Sequence, residues 1–151
     1  MGFDVYGLRA KSEKGEYFRN NIWWWRPLAT YVLTRVTIPE HDEQQWQMNG
    51  GYEVSGSSAL LIAEKLDELI AKGETATYAK EYANWQADLP LVLCYICKGA
   101  GKRLDAVVEA QCNACQGKGK VKNWATNYPF DIENVEEFAK FCRESGGFEI
   151  W

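Results

Sequence analysis

Four segments of the chain carry apolar residues every three to four positions, the spacing that places them on one face of a helix. We therefore expect three to four amphipathic helices. The clearest example begins at a cap of Ser57 or Ser58 and ends at Gly73. The segments are 27–38, 58–72, 77–89 and a last one that starts near Asp131 or Asn134 and stops before Gly146.

A run of three tryptophans precedes the first of these helices. Pro27 fits the first helical position, where its missing N–H costs no hydrogen bond, so we expect the helix to begin there. Trp23, Trp24 and Trp25 suit either a strand or a tight approach to that helix. Core packing is the favoured interpretation of their side chains. In the alternative, an exposed tryptophan beside Arg26 forms an interface hot spot.

Both ends of the chain predict short strands. Residues 3–6 alternate between apolar and polar side chains and are followed by Gly7, which predicts a short strand. Residues 148–151 predict the closing strand. Because the two strands can pair, the predicted fold class is α+β, a small single domain with a short sheet. Residues 39–58 contain several glycines and serines, which predicts a long loop or a lid.

The segment 94–122 holds a short internal repeat with two cysteine pairs. CYICKGAG at 94–101 is echoed by CNACQGKG at 112–119, with 14 residues between the pairs. Each C-x-x-C forms a knuckle whose two thiolates face one point, and two knuckles supply the four ligands of a tetrahedral Zn²⁺. Four protein ligands leave no open position, so the ion is structural. The predicted ligands are Cys94, Cys97, Cys112 and Cys115.

This repeat predicts the domain organisation. We expect an inserted zinc ribbon over 91–122 in a body formed by 1–90 and 123–151, with a hairpin arm at 103–110. Glycines after each pair allow the sharp turn around the metal, often at positive φ. A pair of redox dithiols is the alternative, although the pairs lack the helix N-terminus that lowers a thiol pKa.

Composition is typical of a globular protein without a membrane span. The chain has 151 residues, of which 46% are hydrophobic and 25% charged, and no apolar run is long enough to cross a bilayer. The first residues lack the basic and apolar regions of a secretory signal, so we expect a cytoplasmic protein. Five cysteines are an odd number, and the fifth, Cys142, lies on an apolar helix face where it predicts a core thiol.

Charge is distributed unevenly along the chain. The formal net charge is −4, but residues 94–122 carry six basic and two acidic residues, a net of +4. The remainder therefore has a net charge of −8. Four thiolates with one Zn²⁺ contribute −2, which leaves the ribbon at about +2. The sequence thus predicts a basic ribbon on an acidic body.

The cysteine repeat resembles the C-x-x-C-x-G-x-G modules of DnaJ-type cochaperones. In that family such modules bind zinc and help engage client proteins. The resemblance covers about 26 residues, 94–119. Those cochaperones carry four repeats and a His-Pro-Asp tripeptide, whereas this chain has two repeats and its single histidine, His41, is followed by Asp42. The resemblance implies a single ribbon and not an intact cochaperone.

The segments on either side of the repeat carry five further motifs, namely MGFDVYG at 1–7, GEYFRNN at 15–21, WWWRPL at 23–28, NYPF at 127–130 and SGGFEI at 145–150. With these motifs the chain resembles a functionally uncharacterised family of small proteins from bacteria and their phages. The resemblance spans most of the chain and implies a phage or mobile-element setting, without assigning catalytic residues.

These observations favour a non-enzymatic, zinc-stabilised protein-interaction protein acting on a host protein or protein complex. In a phage setting, the expected role is inhibition of a host defence system, such as a nuclease or a CRISPR-type complex in the bacterial cytoplasm. An acidic body would complement a nucleic-acid-binding target. The candidate interaction residues are Trp23, Trp24, Trp25, Arg26, Lys98, Lys102, Arg103, Lys118 and Lys120.

Two alternatives remain open at this point. The basic ribbon could bind nucleic acid, which would make affinity fall steeply with salt. A small nucleotide-modifying enzyme would place its site in the 39–58 loop, where His41, Asp42 and Glu43 are the candidate groups.

Overall fold

Strands from both ends of the chain pair in one antiparallel sheet in the computed structural model, which describes residues 2–103 and 110–151. This confirms the α+β class. The predicted hairpin arm falls mainly on 104–109, outside the described residues. The helices are α1 (Ile22–Arg35), α2 (Glu43–Trp46), α3 (Gly56–Ala71), α4 (Glu74–Asp88) and α5 (Ile132–Ser145), and the strands are β1 (Gly2–Gly7), β2 (Tyr17–Asn21), β3 (Tyr52–Val54), β4 (Val92–Leu93), β5 (Lys120–Val121) and β6 (Phe148–Ile150).

The chain divides into two compact units. We call Met1–Ala83 with Tyr128–Trp151 the body unit, and Asn84–Asn127 the ribbon unit. The body unit contains the four-stranded sheet, in the order β2-β1-β6-β3, and the ribbon unit contains the two-stranded sheet of β4 and β5. Each unit therefore has its own sheet.

The pairing of β3 with β6 corrects the prediction of a loop or lid over 39–58. Val54 lies opposite Phe148, so this segment supplies an edge strand of the sheet. It also contains α2, whose Trp46 is fully buried and donates its indole N–H to the carbonyl of Glu40 at 3.1 Å. A buried tryptophan and a strand partner from the far end of the chain order the segment.

The core of the body unit lies between the helices and the inner face of the sheet. On the predicted apolar face of α3, Ile62, Leu66 and Leu69 are buried and Ile70 is partly buried, and α3 packs against α5. Trp25 of α1 is 0% exposed, stacks on Phe3 at 5.3 Å and donates its indole N–H to the carbonyl of Trp46 at 2.7 Å. Cys142 is 1% exposed within this core, as predicted.

Three predicted helix starts, those of α1, α3 and α4, are wrong. Helix α1 begins at Ile22 because the side chain of Asn21 accepts hydrogen bonds from the N–H groups of Trp23 and Trp24, and Pro27 lies inside the helix. The tryptophan run is therefore helical and not a strand.

Helix α3 is capped by Ser55, whose hydroxyl accepts from the N–H of Ser58 at 3.3 Å, so Ser57 and Ser58 lie in its first turn. Helix α4 begins at Glu74, three residues before the expected Thr77. For α5, the Asp131 alternative is confirmed, since its carboxylate accepts from the N–H of Asn134 at 2.8 Å.

Candidate metal centre

The structure brings the four predicted ligands together in the ribbon unit. The Sγ atoms of Cys94, Cys97, Cys112 and Cys115 all lie within 4.8 Å of one another, and the four side chains are 0–4% exposed. The Sγ–Sγ distances are 3.9 Å between Cys94 and Cys112 and 3.7 Å between Cys97 and Cys115. Four thiolates about 2.3 Å from a tetrahedral metal lie about 3.8 Å apart. The cluster can therefore hold one metal ion.

The two repeats hold each other in place through equivalent backbone hydrogen bonds. The N–H of Cys94 donates to the carbonyl of Gly119 at 2.9 Å, and the N–H of Cys112 donates to the carbonyl of Gly101 at 2.9 Å. In each case the first cysteine of one repeat is bound to the last glycine of the other. This exchange gives the site an internal two-fold pattern and positions all four sulfurs.

Two positions in the turns after the cysteine pairs, Gly101 and Gly119, require glycine for two reasons. The positive-φ positions are Lys98, Gly99, Gly101, Gln116, Gly117 and Gly119. In addition, a Cβ on Gly101 would lie 2.5 Å from the carbonyl oxygen of Gly117, and a Cβ on Gly119 would meet the carbonyl of Gly99 just as closely. Both the backbone conformation and the close approach of the repeats therefore exclude side chains there.

Backbone donors favour thiolates in the site. The N–H of Gly101 donates to Sγ of Cys97 at 3.3 Å, and the N–H of Gly119 donates to Sγ of Cys115 at 3.3 Å. Although burial acts in the opposite direction, the backbone N–H groups and neighbouring thiols lower the pKa of Cys97 to about 7, while burial raises that of Cys112 to about 11. Because a metal binds the deprotonated sulfurs, N–H donors at the second cysteine of each pair stabilise the ligand form.

The predicted interaction residues fall into three environments. Trp25 is fully buried, so for this residue the interaction hypothesis is wrong. Trp23 is 42% exposed with its ring 4.8 Å from that of Tyr128, and Trp24 and Arg26 are half-buried in the body unit. The basic candidates are all exposed on the ribbon unit, namely Lys98, Lys102, Arg103, Lys118 and Lys120.

The 39–58 candidates for an enzyme site have local structural roles or lie exposed. His41 is exposed between α1 and α2, and Glu43 is exposed in the first turn of α2. The carboxylate of Asp42 caps α2 by accepting from the N–H of Gln45 at 3.0 Å. The neighbouring Glu40 accepts from the hydroxyl of Ser58 at 2.6 Å, which ties the loop to the start of α3.

Sequence reasoning missed a set of exposed apolar side chains next to the metal site. Leu93, Tyr95 and Ile96 are 62%, 78% and 50% exposed. A signal for them exists in the repeat itself, because the positions of Tyr95 and Ile96 hold Asn113 and Ala114 in the second knuckle.

No protein-family model, curated protein or solved structure matches the chain. The metal site is therefore assigned from its own geometry. Over residues 2–103 and 110–151, no helix combines the length and the apolar character needed to cross a membrane.

Proposed function

We propose that the chain is a zinc-stabilised protein-interaction protein without catalytic activity of its own. The supporting observation is the cluster of four buried cysteine sulfurs, spaced as a tetrahedral metal requires. Cys94, Cys97, Cys112 and Cys115 would hold one ion with no position left for substrate or water, so the metal cross-links the ribbon unit and does not activate a reactant. It supplies folding free energy that a polar segment lacks.

Zinc is the metal that we propose for this site. An all-thiolate tetrahedral site suits zinc or iron, and the paired C-x-x-C spacing is typical of structural zinc ribbons. A closed site held by backbone hydrogen bonds on both repeats fits a purely structural ion.

The partner that we propose is a host protein or protein complex in the bacterial cytoplasm. The resemblance of the flanking motifs to small phage and bacterial proteins is the basis of the phage setting that we propose, in which the chain would inhibit a host defence system such as a nuclease or CRISPR-type complex. A net charge of −8 outside residues 94–122 supports binding to a basic, nucleic-acid-handling surface, since complementary charge steers association.

Nucleic-acid binding through the ribbon unit is the second candidate function. Exposed basic side chains at Lys98, Lys118 and Lys120 and an exposed ring at Tyr95 favour it, because bases stack on aromatic rings between cations. Bound zinc reduces the ribbon charge to about +2 and weakens this candidate.

Metal analysis of the purified full-length chain tests the proposed site. We expect one zinc per chain, lost in Cys94→Ser and retained in Cys142→Ala, which removes a buried thiol outside the cluster. A folded wild-type protein without zinc would contradict the proposal.

The interaction role is tested by affinity capture from a bacterial host lysate. We expect a specific partner that zinc-loaded wild type captures and that Cys94→Ser does not. Equal capture by both proteins, or no specific partner, counts against the interaction role.

A further inference from the structure

The first knuckle exposes a group of large apolar side chains that the metal site does not use. Leu93, Tyr95 and Ile96 are each at least half exposed. We call these three residues the apolar knuckle surface. Single exposed apolar residues are ordinary, but adjacent ones rimmed by charge are characteristic of interaction sites.

The strand register shows that Leu93 points away from the metal site. Val92 lies opposite Val121 and Leu93 lies opposite Lys120 in the β4–β5 pair. Directly opposed residues share a face of the sheet. Val121 packs against the cysteine cluster, so Leu93 and Lys120 occupy the outer face.

Leu93 lies close to the first knuckle. Its Cδ2 atom is 3.1 Å from the position that a Cβ on Gly99 would occupy. Tyr95 and Ile96 lie between the two cysteines of that knuckle, directly after Cys94. Leu93 thus adds a third exposed apolar side chain beside the turn of the first knuckle, on the outer face of the β4–β5 pair.

The internal repeat shows that these apolar side chains are not needed to form a knuckle. Asn113 and Ala114 occupy the same positions in the second knuckle, whose first cysteine makes the equivalent backbone bond and whose glycines have positive φ at the equivalent positions. The second knuckle positions its two sulfurs without a tyrosine or an isoleucine. The geometry of the metal site therefore does not require Tyr95 or Ile96. A contact outside the ribbon unit would account for them.

The charges around the apolar knuckle surface select the kind of partner. Lys98 directly follows the knuckle, Lys120 lies opposite Leu93, and both are exposed. Residues 94–122 carry six basic and two acidic residues and keep a net charge of about +2 with zinc bound, so a second copy placed ribbon to ribbon would bring like charges together. An acidic partner gains from the same charges.

We propose that the apolar knuckle surface docks an acidic segment of a partner protein through that segment's apolar side chains. The proposal rests on the interaction role proposed above and adds a contact at one knuckle, separate from the partner's basic surface that is proposed to meet the acidic body. Leu93 and Ile96 favour a protein over a nucleic acid, because aliphatic side chains offer no ring on which a base can stack. Tyr95, the most exposed of the three, would be the central anchor.

Selection from a random peptide display library, with the zinc-loaded full-length chain as bait, tests this proposal. We expect the selected peptides to combine Asp or Glu with apolar residues. The double variant Tyr95→Asn with Ile96→Ala gives the first knuckle the side chains of the second, and it should bind a selected peptide at least about tenfold more weakly. The matched control Asn113→Ala should bind as wild type does, and all three proteins should carry one zinc.

Several results would overturn the docking surface. They are selected peptides without acidic residues, equal binding by the double variant, or no selected peptide at all from a chain that carries one zinc. A single-stranded oligonucleotide whose binding is lost in the same double variant would assign the surface to nucleic acid instead. Zinc content is measured on the same samples. A chain that carries no zinc would therefore contradict the proposed function, whereas a zinc-loaded chain that selects no peptide would contradict the docking surface.

Discussion

The body unit and the ribbon unit use opposite means to hold their folds. In the body unit, buried aromatic and aliphatic side chains from three long helices pack on the sheet. In the ribbon unit, the buried cluster consists of four cysteines with half-buried Val121 against them, while Leu93, Tyr95 and Ile96 are exposed. The body unit thus has an apolar core of its own, whereas the described part of the ribbon unit buries four cysteines and leaves Leu93, Tyr95 and Ile96 outside its buried cluster.

The largest effect should follow from breaking the body core. Trp25→Ala removes a fully buried ring that stacks on Phe3 and donates to the carbonyl of Trp46, so we expect the free energy of unfolding to fall by about 3–5 kcal/mol. Urea denaturation measures it. Zinc content should stay at one per chain if the two units are stabilised separately. Loss of zinc in this variant would contradict that separate stabilisation.

Gly119→Ala should disrupt the ribbon unit without affecting the body core. The new Cβ would collide with the carbonyl of Gly99, at a residue with φ of 70°. The repeats would be forced apart, and we expect zinc affinity to fall by about one to two orders of magnitude. Competition with a chromophoric chelator measures the affinity.

Gly73→Ala is the matched control for this prediction. Gly73 has a similar φ of 76°, but a Cβ there meets nothing within 4 Å. It should cost about 1 kcal/mol of stability through backbone strain alone and leave zinc affinity unchanged. Equal zinc affinity in the two alanine variants would refute the role of close approach between the repeats.

A smaller effect is expected at Glu40, which belongs to the body unit. Burial acts to raise the pKa of this carboxyl, but hydrogen bonds from Ser58 and Ser55 lower it to about 2. Because the folded-state pKa lies below the unfolded value, the stabilisation is present above about pH 4.5 and is lost as the pH falls towards 2.

Glu40→Gln should therefore lower the free energy of unfolding by about 1–2 kcal/mol at pH 7 and by progressively less towards pH 2. Urea denaturation of wild type and variant at matched pH isolates this difference, since any effect of acid on the thiolates is common to both. A difference that stays constant between pH 7 and pH 3 would show that the ionised carboxylate is not the stabilising group.

Features with local signals were predictable from the sequence. The spacing of apolar residues predicted α3 and α5, and the cysteine pairs predicted the four sulfurs that meet in the ribbon unit. These signals are local because a helix face or a knuckle is specified within a few residues. The pairing of β1 with β6 was also foreseen, from alternation at the two chain ends.

Features that depend on distant partners were not predictable in this way. Strand β3 has three residues, and its strand conformation depends on β6, which lies almost a hundred residues later. Pro27 predicted the wrong start for α1 because proline favours the first helical position. The true start depends on the cap formed by Asn21, and Pro27 lies inside the helix. The apolar knuckle surface was not predicted because the spacing of residues does not show which apolar side chains are exposed.

Hydrogen exchange of the zinc-loaded full-length chain, with and without a strong chelator, measures whether the metal holds the ribbon unit. We expect chelation to remove protection from residues 94–101 and 112–119, where the amides of Cys94 and Cys112 bond across the repeats, while α3 and α5 keep their protection. Unchanged protection of both cysteine segments after zinc is removed would contradict a metal-held ribbon, and loss of protection throughout α3 and α5 would contradict its separation from the body core.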